Sequence, residues 1–209
     1  MQDYITIALP KGRLAEETLS LLERLDIVEK GCIDFNSRKL IFEDSKNKIK
    51  FILIRNMDVT TYVEYGACDL GVVGKDIILE TKADIYELLD FGFGYCRMCV
   101  AAPNDFEGDY FHDMRVATKF VNIAKNYFQS KGIFIEVIKL YGSIEIAPLL
   151  SLSDFIVDLV STGETLKKNG LKEIETIMHS TARLIANKSL LKYKHSRLKS
   201  IIKILEENL

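Results

Sequence analysis

The run Ser153-Asp154-Phe155-Ile156-Val157-Asp158-Leu159-Val160-Ser161-Thr162-Gly163-Glu164-Thr165-Leu166 constrains this chain more than any other stretch. Closely spaced apolar residues interleaved with two acids read as a buried strand. Ser161-Thr162-Gly163 reads as a turn, and the residues after it open a helix. A buried strand that passes through a glycine turn into a helix is a building unit of α/β sheets.

The same pattern recurs. Tyr4 to Leu9 is a short apolar strand stopped by Pro10, and Lys11-Gly12-Arg13 opens a helix with Leu14, Thr18, Leu21, Leu22 and Leu25 on one face. Further strands are expected at 39–42, 50–54, 70–73 and 85–89. A helix over 57–65 is closed by Gly66, and another follows Gly74-Lys75-Asp76. This alternation over the first ninety residues predicts a parallel α/β sheet. Gly92-Phe93-Gly94 marks a break. A second alternating set follows, with strands at 95–102, 115–117, 134–138 and 173–178 besides the opening one. Its first helix shows Phe120, Ile123, Ala124, Tyr127 and Phe128 on one face, and a short helix is expected over 143–150. The strand at 173–178 is placed to lead the chain back to the first half. A terminal helix from about 190 to 209 carries Leu191, Leu198, Ile202, Leu205 and Leu209 on one side and cations on the other. It reads as a helix packed on a sheet with a solvated charged face, not as a membrane anchor.

With 209 residues, 48% hydrophobic and 28% charged, the chain suits one large or two small soluble domains. A net charge of −2 supplies no basic field for nucleic acid, so an anionic ligand must be held by local cations and amides. No apolar run reaches the ~18 residues of a membrane span. The N-terminus lacks the blocks of a secretory signal, so a cytoplasmic location is expected. Cys32, Cys68, Cys96 and Cys99 are then expected to be reduced. Cys96-Arg97-Met98-Cys99 has redox or zinc spacing, but no second Cys/His pair completes a metal site and the segment is strand-like, so a structural role is expected. His112, His179 and His195 have no metal spacing and nothing nearby to activate them.

Three segments carry candidate chemistry. Amides at a helix start favour an anion, Ser161, Thr162 and Thr165 add hydroxyls, and Gly163 permits close approach. Asp158, at the strand end, can accept from both hydroxyls of a ribose. Acids for sugar hydroxyls beside amides for a phosphate point to a phosphorylated ribose and hence to phosphoribosyl transfer. An ordinary capped helix has the same local pattern. In the first turn, Lys11 and Arg13 flank Gly12 at a helix start, where cations oppose the helix dipole unless an anion arrives. The third segment is Asp69-Leu70-Gly71-Val72-Val73-Gly74-Lys75-Asp76, whose glycines suit either the flat face of a base or tight helix–strand packing.

These segments occur together in one family. ALPKGRL at 8–14, RNMDVTTYVEYGACDLGVVGKD at 55–76, RVATKF at 115–120 and GSIEIAPLLSLSDFIVDLVSTGETLKKNGL at 142–171 resemble the short form of the ATP phosphoribosyltransferases, which open histidine biosynthesis. The resemblance implies an α/β fold of two lobes around a cleft, like type II periplasmic binding proteins. It places residues 1–91 and 180–209 in an ATP and pyrophosphate lobe, and 92–179 in a lobe for the 5-phosphate of phosphoribosyl pyrophosphate. The chain's end at Leu209 is read as leaving no room for the long form's regulatory domain. A homodimer core and a regulatory subunit similar to histidyl-tRNA synthetase, in a hetero-octamer, are implied partners. Nucleic acid and membranes are not.

The implied reaction joins N1 of ATP to C1 of phosphoribosyl pyrophosphate and releases pyrophosphate. Adenine N1 needs no base, so catalysis is alignment and charge stabilisation. The expected catalytic residues are Lys11, Arg13 and Asp158. The donor is expected to meet Asp154, Asp158, Ser161, Thr162, Gly163, Glu164 and Thr165, with Glu164 turned away because a carboxylate repels phosphate. ATP is expected against Lys11, Gly12, Arg13, Arg55, Asp69, Gly71 and Gly74. Mg²⁺ would be held by substrate and water, without a protein cage. The rival readings are a two-lobed solute-binding protein and a free-base phosphoribosyltransferase. Enzymes of the latter kind usually carry two adjacent acids before the TG turn, where Val157 precedes Asp158 here.

Overall fold

A computed structural model describes residues 4–189 and 195–209. The chain forms two compact units, 1–94 with 181–209 and 95–180.

In the first unit, β1 (Ile5–Pro10) is almost wholly buried and ends at Pro10, which has no N–H to continue a ladder. Gly12 follows at φ 104°, a left-handed setting that favours glycine, and α1 (Arg13–Arg24) begins. Ala15, Thr18, Leu19, Leu21 and Leu22 form its buried face. β2 (Ile41–Asp44) and β3 (Ile49–Ile54) make a hairpin, and Asp44 accepts hydrogen bonds from the Asn47 amide and side chain across its turn. That turn sets the register Ile41↔Ile52, which carries β2 to Asp44 rather than over the expected 39–42. A 3₁₀ turn at Asn56–Asp58 leads into α2 (Val59–Glu64), and β4 (Leu70–Gly74), α3 (Lys75–Thr81) and β5 (Tyr86–Asp90) follow.

The second unit contains β6 (Cys96–Pro103), β7 (Met114–Thr118), α4 (Val121–Ser130), β8 (Ile135–Lys139), β9 (Phe155–Val160), α5 (Glu164–Lys168) and β10 (Leu171–Ser180). The expected helix over 143–150 is instead two 3₁₀ turns, Ile144–Ile146 and Pro148–Leu150. Pro148 lacks the N–H that a continuous α-helix would need there. The sheet order is β10-β6-β9-β7-β8, with β7, β8 and β9 mutually parallel and β6 antiparallel to both neighbours. Phe120, Phe128 and Phe155 are among its fully buried side chains.

After residue 180 the chain rejoins the first unit as β11 (Ala182–Ala186), a strand absent from the sequence expectation. β11 lies antiparallel between β4 and β5, giving the order β2-β3-β1-β4-β11-β5. The first sheet is therefore mixed, not parallel as expected, although β3, β1 and β4 do run parallel. Five residues from a distant part of the chain complete the sheet, and local periodicity cannot see such pairing. α6 (His195–Glu206) packs Leu198, Ile201 and Leu205 into the same core. Leu191 lies outside the described residues, and Leu209, expected on the apolar face, is exposed beyond the helix end.

Candidate functional site

In the second unit, β9 delivers Asp158 and then the turn Ser161–Gly163 to one edge of its sheet. Gly163 sits at φ 80°, and α5 starts immediately after it. The Glu164 N–H lies 3.4 Å from the Thr162 hydroxyl oxygen, which accepts it. The other amides of a helix's first turn have no partner within the helix and can meet a ligand. A hollow of about 190 Å³ is lined by Asp158, Ser161, Thr162, Gly163 and Thr165 together with Glu145, Leu159, Val160 and Leu166. Burial pushes the Asp158 carboxyl upward, against the Leu159 N–H that it accepts at 2.8 Å and the nearby Lys119. Lys119 reaches this edge because β7 and β9 are parallel, with Thr118 opposite Val157.

In the first unit, Pro10 lies opposite Ile54 at the carboxyl ends of β1 and β3, so Lys11 and Arg55 leave the sheet side by side. The Lys11 N–H donates to the Ile54 carbonyl at 3.1 Å. Gly74 ends β4 on the same edge. Lys11 and Gly12 line a hollow of about 180 Å³ with Glu16, Phe35, Ser37, Lys39 and Leu53. The Arg13 side chain is 66% exposed and pairs with Glu17 at 3.3 Å, which leaves it able to turn to an anion. Each unit thus offers donors at the carboxyl ends of parallel strands, where open α/β sheets take ligands.

A family model described as HisG: ATP phosphoribosyltransferase matches residues 55–207. The chain is 51% identical to ATP phosphoribosyltransferase 2 of Geobacter sulfurreducens over the full length of both. It is 54% identical to ATP phosphoribosyltransferase of Caldanaerobacter subterraneus subsp. tengcongensis, over 98% of this chain and 97% of the relative. The chain belongs to the ATP phosphoribosyltransferase family. Among solved structures, an ATP phosphoribosyl transferase (HisG:HisZ) complex from Thermotoga maritima matches at TM-score 0.83 and 31% identity, covering 97% of each chain. The alkanesulfonate-binding protein SsuA of Xanthomonas axonopodis pv. citri matches at TM-score 0.59 and 11% identity, covering 98% of this chain and 72% of that one. That match carries the fold alone, the type II binding-protein class.

Four expected site residues have protein partners of their own. Asp69 lies at the opposite end of β4 from Gly74 and binds Thr6, whose N–H and hydroxyl donate to its carboxylate at 2.8 and 2.9 Å. Gly71 is buried inside β4, and a β-carbon there would come within 2.8 Å of methyls on both Val59 and Val63. It is a packing glycine under α2, the second of its two sequence readings. Asp154 precedes β9 and is ion-paired to Arg115 at 2.9 Å. Four residue steps of extended chain put it roughly 13 Å from Asp158. Glu164 is exposed and within 3.6 Å of Lys168, one turn along α5, and it does not line the hollow.

Sequence reasoning missed four residues around the turn. Glu145 lines the hollow, and the Lys119 charge acts on Asp158. Lys119 follows the strand Met114–Thr118, so its strand-end position was a usable signal. Arg97 and Glu173 form a bidentate ion pair that touches Ser161. In the sequence Arg97 stands only as a spacer of the Cys96–Cys99 motif. Burial pushes the Cys99 thiol up to about 12, and Cys68 likewise. His179 accepts or donates a 2.7 Å hydrogen bond with the Tyr95 hydroxyl and stacks on its ring, while the His112 Nδ1 lies 3.4 Å from the Phe134 N–H. No described helix is long and apolar enough to cross a membrane.

Proposed function

We propose that this chain is the catalytic subunit of a short-form ATP phosphoribosyltransferase, with the phosphoribosyl donor on its second unit and ATP on its first. The activity follows from the family: the phosphoribosyl group passes to N1 of ATP and pyrophosphate leaves, in histidine biosynthesis. The residue roles rest on one observation above all, the hollow that brings Asp158 together with Ser161, Thr162, Gly163 and Thr165.

In this reading the turn amides and hydroxyls hold the 5-phosphate, and Asp158 holds the ribose hydroxyls. The Leu159 N–H and the Lys119 charge oppose the upward push of burial on Asp158. As C1 gains oxocarbenium character, a fixed ribose and a fixed phosphate leave it only one path, towards the nucleophile. Lys11 and Arg13 receive the departing pyrophosphate or the ATP phosphates, with Arg55, Gly12 and Gly74 beside them. Mg²⁺ would be held by pyrophosphate oxygens and water. When bound, it would neutralise the leaving group.

The chain's partner in this proposal is a HisZ-type subunit similar to histidyl-tRNA synthetase, supported by the Thermotoga complex. A cytoplasmic location goes with it. The deciding experiment is a pyrophosphate-release assay with ATP and phosphoribosyl pyrophosphate, run with and without that subunit. Release only when free adenine replaces ATP would move the chain to the salvage enzymes. No release in any mixture would overturn the reading.

A further inference from the structure

We propose that Arg97 is a positioning residue for the transfer: clamped by Glu173, its guanidinium fixes the Ser161 carbonyl and so aims the turn at the 5-phosphate. The inference rests on reading that turn as the phosphate site.

Arg97 is the second residue of β6 and lies opposite Val160, the last residue of β9. Its Nε donates to Glu173 Oε1 at 3.0 Å and its Nη2 to Glu173 Oε2 at 2.7 Å. The remaining Nη1 donates to the Ser161 carbonyl at 3.0 Å. Glu173 is itself held, because the Thr176 hydroxyl and the Cys99 thiol donate to its Oε1 at 3.0 and 3.1 Å. Two irregularities in the pairing of β10 with β6, between Glu173 and Glu175 and between Thr176 and Met178, flank these partners. Irregularities of this kind re-aim side chains, and here the Glu173 carboxylate and the Ser161 carbonyl converge on one guanidinium while Thr176 and Cys99 hold the carboxylate.

The Ser161 carbonyl and the Thr162 N–H belong to one planar trans peptide, and they point in opposite directions. Holding the carbonyl toward Arg97 therefore sends the Thr162 N–H away from it. The guanidinium also runs beside Gly163, where a β-carbon would lie 3.9 Å from Nη2. The turn needs such an anchor, since α5 has five residues and helices that short are not stable by themselves. Arg97 is poorly placed to be a phosphate ligand. Three of its five N–H groups already donate within the protein, and the Glu173 carboxylate neutralises its charge. A rigid fork is what this task needs, and lysine cannot supply it.

The test compares Arg97→Ala, Arg97→Lys, Glu173→Gln and wild type in the same assembly, with KM and kcat measured for each substrate. The expected result is a rise of about tenfold or more in KM for phosphoribosyl pyrophosphate in both Arg97 variants, with KM for ATP within about twofold. Glu173→Gln should raise the same KM by less. Loss of folded protein lowers apparent kcat for both substrates and leaves KM alone, so a merely structural role gives a different signature. Wild-type KM in Arg97→Lys would overturn the inference. So would a lower KM in Glu173→Gln, because a freed guanidinium would then be gripping phosphate directly. Thr165→Ala and Asp158→Asn test the underlying reading. If both leave KM for the donor unchanged, the phosphate site lies elsewhere. If they raise it while the Arg97 variants do not, only the positioning role fails.

Discussion

Thr6 and Asp69 hold each other across β1 and β4: the Thr6 hydroxyl donates to the Asp69 carboxylate at 2.9 Å and accepts the Asp69 N–H at 2.9 Å. The pair lies where both strands begin, away from the edge that carries Lys11, Arg55 and Gly74. Asp69→Ala leaves the Thr6 N–H and hydroxyl short of an acceptor, at about 1–3 kcal/mol of stability. Chemical denaturation should show this loss, with KM for ATP unchanged in the folded enzyme. An unchanged stability and a raised KM for ATP would return Asp69 to the substrate.

Gly71 makes a related case through packing. An alanine methyl would press on Val59 and Val63 at 2.8 Å each, and Ile185 at 3.2 Å leaves it no other way out. Overpacking of this kind destabilises by about 1–3 kcal/mol. Gly71→Ala should lower Tm while KM for ATP stays the same.

Asp158 should show a trade-off between stability and function. Its carboxyl is raised above the ordinary 3.8 by burial. Ionising it therefore costs stability, and the cost grows as pH rises from the ordinary carboxylate range through the folded value. Asp158→Asn removes that cost, and the amide oxygen can still accept the Leu159 N–H. The variant should melt above wild type at neutral pH, match it near pH 3 to 4, and bind phosphoribosyl pyrophosphate far more weakly. Wild-type turnover would end the ribose assignment.

Glu173 has the opposite sign. The Arg97 guanidinium pulls its carboxyl from 4.5 down to about 2. Its ionised form thus stabilises the fold at all pH above about 4.5, and the contribution is lost as pH falls towards 2. Acid titration of Glu173→Gln should start from a less stable protein at neutral pH and fall less steeply over that window. Parallel curves would show that the pair contributes nothing.

Arg13 tests the first unit. Its exposed side chain contributes little to the fold through one surface pair with Glu17. Arg13→Ala should keep Tm and lose more than about tenfold, or ~1.4 kcal/mol, in kcat/KM. A smaller loss argues against a transition-state role.

The sequence by itself determined the local units. Strand, turn and helix were legible around Lys11-Gly12-Arg13 and Ser161-Thr162-Gly163, because apolar periodicity and glycine act over a few neighbouring residues. The family likewise was legible in the segments at 8–14, 55–76, 115–120 and 142–171. Tertiary structure alone decided which end of a strand a residue occupies and what its side chain meets. Asp154 and Asp158 sit four residues apart, yet one pairs with Arg115 and the other lines the hollow. Asp69 and Gly71 read from the sequence as ligand residues beside Gly74; in the fold Asp69 accepts from Thr6 and Gly71 packs against Val59 and Val63. β11 and the Arg97–Glu173 clamp come from residues far apart in sequence, and the sheet fixes such pairings through register and burial. No local pattern encodes them, because the partners become neighbours only when the sheet forms.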